Sequence, residues 1–114
     1  MSKYVSGQES DRRSGPRTVM QRSGKVLCGG FAWDCVIRDM SPSGARIQML
    51  SSATPSDALQ LVDLASGYAH DSRLAWQKDR EFGLRIVRTH DLRGLAPASF
   101  QTAKRLWAAK APTG

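Results

Sequence analysis

An all-β fold, a six-stranded antiparallel barrel followed by a C-terminal α-helix, is what this sequence predicts. Three observations point there. Short stretches of alternating apolar and polar residues recur along most of the chain, and period two is the mark of strands with one buried face. Glycine pairs, prolines and charged triplets separate those stretches at hairpin spacing. Beyond His90 the alternation stops and apolar residues recur at helical spacing instead.

The elements follow in order. Residues 1–11 mix Ser, Gly, Gln, Glu and Asp without an apolar period and read as a flexible tail. Arg12 to Arg17 is excluded from regular helix, because Pro16 drives Gly15 out of the α region. In an extended chain residues four apart point the same way, so Arg13 and Arg17 can project two guanidinium groups together. Thr18 to Cys28 reads as a first strand with a bulge at Ser23-Gly24, and Gly29-Gly30 as a hairpin with positive φ. On the return strand Phe31, Trp33, Cys35 and Ile37 form one apolar face, closed by Asp39. Ser41-Pro42-Ser43-Gly44 has Pro second and Gly fourth, as a type I turn prefers. Ala45, Ile47 and Met49 alternate in a third strand, and Leu59 and Leu61 open a fourth after a loop over 51–57. Ser72 to Gln77 and Phe82 to Ile86 form a last hairpin around Lys78-Asp79-Arg80, with Leu74 and Trp76 on one face. The barrel is thus expected over about 18–88. Pro97 suits the first turn of a helix over about 97–110. Its stripe of Phe100, Ala103, Leu106 and Trp107 is expected to pack on the barrel, giving a single domain over 12–110.

Composition narrows the function. The 114 residues, 40% hydrophobic and 24% charged, suffice for one domain. No apolar run approaches the roughly 18 residues of a membrane span. The N-terminus has no apolar core of a signal peptide, so the chain is read as cytoplasmic. Cys28 and Cys35 fit neither a metal motif nor a disulfide framework and are read as free thiols; His70 and His90 fit no metal motif either. No cofactor and no catalytic residue is expected, since no histidine or cysteine stands near an acid–base partner and there is no phosphate loop. The net charge of +7 favours a polyanionic partner, and twelve of the seventeen basic residues are arginines, suited to planar recognition of phosphate or guanine.

Two motifs concentrate that chemistry. Arg13-Ser14-Gly15-Pro16-Arg17 is an RxxxR pair, and one hairpin later Asp39-Met40-Ser41-Pro42-Ser43-Gly44 reads DxSxxG. A guanidinium forks onto guanine O6 and N7, clasps a phosphate, or stacks on a purine. An ionised carboxylate such as Asp39 accepts from the N1–H and N2–H of guanine, Ser41 adds a hydroxyl, and Gly44 leaves room for close approach. In this order and at this separation the motifs resemble the signature of the PilZ family of bacterial cyclic di-GMP receptors. The likeness covers roughly residues 12–88, taking in Ala45-Arg46-Ile47, Trp76 and Phe82-Gly83-Leu84-Arg85-Ile86.

The resemblance implies a PilZ-type barrel and a stand-alone, non-enzymatic receptor or adaptor. Its ligand, cyclic di-GMP, is expected at Arg12, Arg13, Arg17, Asp39, Ser41 and Gly44, the last three on a bend at the barrel mouth. Arg12, a basic residue directly before the pair, goes in that family with an intercalated ligand dimer, so two ligand molecules per site are expected. Ligand binding is expected to change the conformation of the arginine segment and so to signal to an unidentified effector protein. Two other readings stand beside it: a small basic barrel binding RNA or single-stranded DNA, which the scarcity of aromatics disfavours, and a PilZ structural adaptor without ligand. Trp33 and Trp76 are read as core, with Trp107 open between core and surface. Arg38, Arg46, Arg85 and Arg88 are read as solvated, one of them completing an anion pocket, and Ser43 as a turn residue.

Overall fold

The computed structural model describes residues 18–110, with side chains over 21–109. Arg12, Arg13 and Arg17, and the expected tail, lie outside the described residues. Six strands, β1 (Thr18–Cys28), β2 (Phe31–Ser41), β3 (Gly44–Met49), β4 (Ala58–Asp63), β5 (Tyr68–Lys78) and β6 (Glu81–Asp91), close a barrel in the order β1-β2-β3-β6-β5-β4. Every neighbouring pair is antiparallel. Among the described residues, closure leaves no strand edge unpaired. A 3-10 turn, Ala98–Phe100, leads into helix α1 (Gln101–Lys110).

Two apolar layers hold these elements. Val26, Ile37, Ile47, Leu61 and Phe82 fill the interior at no more than 1% exposure. Phe100 and Ala103 pack on the outer face, against Leu27, Val62, Ala69 and Leu92. The helix therefore erases the alternation where it lies: consecutive residues Val26-Leu27 and Leu61-Val62 are all buried. For the same reason β5 begins at Tyr68 rather than near Ser72, since Ala69 and His70 are both buried. β6 continues beyond Ile86 to Asp91 because Arg88, Thr89 and His90 pair with β5 while carrying no apolar pattern. β4 stops at Asp63, whose carboxylate accepts from the backbone N–H groups of Ala65 and Ser66 and so starts the turn.

At the tight turns, Gly29 alone of the glycine pair has positive φ (62°), as in a II′ hairpin. The bulge expected at Ser23-Gly24 lies instead between Val19 and Arg22. Gly24 is there for space, since a Cβ would stand 3.0 Å from the Val62 carbonyl oxygen and 3.1 Å from Cys35 Sγ.

Three further irregularities re-aim side chains. In an unbroken strand Asp39 would share the inward face of Ile37, Trp76 that of Leu74, and Arg88 that of Ile86. The register instead shifts between Ile37 and Asp39, between Leu74 and Trp76, and between the Ser72–Ile86 and Asp71–Arg88 pairs. Arg38, Ala75 and Val87 are the extra residues. Each bulge turns the next side chain outward.

Candidate functional site

Asp39, turned outward by the bulge at Arg38, stands opposite Arg46 of β3. Arg46 Nε donates to Asp39 Oδ2 at 2.8 Å, and its Nη1 donates to Glu81 Oε2 at 2.8 Å. The carboxylate is only 5% exposed, so this pairing fixes it nearly in place. The Arg46 guanidinium is held above its ordinary range, chiefly by the hydrogen bond to Asp39.

The turn after β2 closes with Ser41 opposite Gly44. Neither Pro42 nor Ser43 has positive φ, in keeping with a type I turn. The Ser43 carbonyl accepts from the Ile86 N–H at 2.9 Å and ties the turn to β6. Gly44 then pairs with Arg85, and Arg46 with Gly83. Gly83 in turn pairs with Trp76 of β5, whose indole lies flat across the glycine: a Cβ there would overlap the indole nitrogen and its neighbouring carbons.

These residues enclose a cleft of about 330 Å³ on the outer wall of the barrel, floored by β3, β6 and β5. Asp39, Ser43, Gly44, Arg46, Trp76 and Arg85 line it. It holds a buried carboxylate, two guanidinium groups, an indole and two glycines. Together these can accept from a base edge, bind a phosphate and stack on a ring.

Of the residues expected from sequence, Asp39 and Gly44 come together here. Ser41 is not among the residues that line the cleft: it is buried, and its hydroxyl donates to the Gly44 carbonyl at 3.4 Å. Trp76 corrects the expectation of a core residue, being 45% exposed, whereas Trp33 is half-buried against the core. Arg46 and Arg85 were expected on solvated faces, with one of the strand arginines completing an anion pocket, and Ser43 in a turn; all three line the cleft. Only a bulge at Ala75 brings Trp76 and Gly83 onto one face.

The register also fixes where β1 begins. Thr18 pairs with Met40 and Val19 with Asp39, so this strand starts beside the cleft. A second, larger cleft of about 640 Å³ lies farther along β5 and β6, and among the described residues no DxSxxG residue lines it.

Comparison with protein families gives a match to the model described as PilZ domain, over residues 11–96. Comparison with curated proteins gives no match.

Proposed function

The chain belongs to the PilZ family, and from that premise we propose that it is a cyclic di-GMP receptor whose ligand lies in the outer-wall cleft. One observation carries this reading. Asp39 and Gly44 share the cleft with Arg46, Trp76 and Arg85, at the place where β1 begins. Asp39 would accept from the Watson–Crick edge of a guanine, a pairing adenine cannot make. Trp76 offers a ring face for stacking and Arg85 a guanidinium for phosphate. At about 330 Å³ the cleft is at the small end of ligand sites. A dinucleotide therefore needs further cover, which in this reading comes from Arg12, Arg13 and Arg17 of the segment entering beside Asp39.

Binding would change the conformation of that segment, and the reshaped surface would engage or release an effector protein, without any catalytic step. Arg12 supports a second ligand molecule, intercalated with the first. Ser41 acts in this reading by holding the turn rather than by touching the ligand.

Titration calorimetry tests the site. Arg13→Ala, Arg17→Ala and Asp39→Ala should each weaken cyclic di-GMP binding by about tenfold or more, as loss of a bidentate or charged contact of about 1–3 kcal/mol requires. Cyclic di-AMP should bind more weakly by a similar factor. Unchanged affinity in all three variants rejects the assignment.

A further inference from the structure

The larger cleft runs between the tip of the β1–β2 hairpin and helix α1, along the outer face of β5 and β6. Two of the large hydrophobic side chains that remain exposed, Phe31 (66%) and Val87 (59%), line it together with Leu106 of α1. Both anchors are held. The Phe31 ring stacks on Trp33 at 5.6 Å between centroids and 8° between planes, and Val87 is the extra residue of the β6 bulge. Fixed anchors lose little freedom when a partner covers them.

The rim is basic. Arg73 and Arg88 line the cleft with side chains 53% and 65% exposed, and Arg105 bonds to Thr102 on the helical wall. Asp57 and Asp71 each pair with one of these guanidinium groups, at 3.3 and 2.9 Å. Surface ion pairs of this kind are weak, so a carboxylate from outside can exchange for Asp57 or Asp71. The chain's net charge of +7 disfavours a second copy of itself as occupant. A small anion would leave Phe31 and Val87 uncovered.

We propose that this cleft is a docking groove for an acidic, apolar-anchored peptide segment of a partner protein, lying one strand pair from the cyclic di-GMP site. The link to that site rests on the receptor reading above; the docking groove does not. Arg73 in the groove is the cross-strand partner of Arg85 in the ligand cleft, and Val87 follows Arg85 by two residues on β6. A ligand that moves Arg85 therefore acts on the groove through one register pair.

The test is a nuclear magnetic resonance titration of the full, ¹⁵N-labelled chain. One probe is a synthetic peptide of about 14 residues with leucine and phenylalanine at helical spacing and Glu or Asp between them. The others are the same peptide with Lys in place of the acids, and a single-stranded oligonucleotide. The acidic peptide should saturate with its largest shifts at Phe31, Val87, Arg88 and Leu106. Val87→Glu and Arg88→Glu should each weaken it by about tenfold, while both variants keep the parent's cyclic di-GMP affinity by calorimetry. Absence of shifts at the groove, an equal response to the lysine peptide, or preference for the oligonucleotide overturns the proposal. So does self-association in sedimentation that Val87→Glu abolishes. Saturating cyclic di-GMP should change the peptide Kd by about threefold or more, and no change overturns the link between the sites. If the parent chain binds the acidic peptide but not cyclic di-GMP, the receptor reading fails and the groove stands.

Discussion

Gly83 and Trp76 form the contact on which the candidate ligand cleft most depends. The indole occupies the space that any β-carbon at Gly83 would need. Gly83→Ala must therefore push the ring off the floor of the cleft. Overpacking of this kind costs about 1–3 kcal/mol of stability, and cyclic di-GMP affinity should fall by about tenfold with the stacking face lost. Thermal denaturation and calorimetry read the two effects. In a Trp76→Ala background the same glycine change should cost little of either, because the clash is gone. A full penalty in both backgrounds would mean that the ring does not rest on Gly83. The motif alone singled out Asp39 and Gly44, and both line the cleft. Trp76 was not, since alternation from Leu74 assigns it to the core and nothing in Leu74-Ala75-Trp76 announces the bulge.

At the scale of elements, the hairpins were legible because glycine, proline and charged residues punctuate clean alternation. The ends of β5 and β6 were not. There the outer face is covered by helix α1 or carries paired polar residues such as Arg88 and Asp71, so period two is hidden. The helix makes its own contribution through Phe100, which is 1% exposed, stacks on His90 at 5.2 Å and has the Arg88 guanidinium over its ring. Phe100→Ala should destabilise the domain by about 3–5 kcal/mol, the usual cost of removing a buried aromatic ring. Urea unfolding measures it. If α1 were a loosely attached appendage, the loss would be below about 1 kcal/mol and confined to the helix.

Across the whole molecule, four strands meet at a polar end of the barrel interior. Arg22 of β1 pairs with Asp63 of β4 at 2.7 Å, and His70 of β5 shares a hydrogen bond of 2.8 Å with Thr89 of β6. Among the described residues, His70 Nε2 is buried without a hydrogen-bond partner. Burial holds the imidazole pKa below its ordinary value, and the nearby Arg22 charge adds to that; Asp63 opposes both. The folded state then takes up a proton less readily than the unfolded one. The neutral-His70 contribution is present above the unfolded pKa of about 6.5 and is lost as pH falls below it, at up to about 1.4 kcal/mol per pH unit. The loss ends once the folded pKa is passed. The exposed carboxylate most displaced, Asp91, is held at about 2 by Arg93, and ordinary carboxylates titrate near 4. Stability lost from about pH 6.5 down to about 5 thus reports on His70. His70→Gln keeps a polar partner for Thr89 and removes the proton. Urea unfolding between about pH 5 and 8 should give a falling stability in the parent and a flatter profile in the variant. Parallel profiles would show that the barrel end admits the proton at no cost, and that His70 is not closed off from water there.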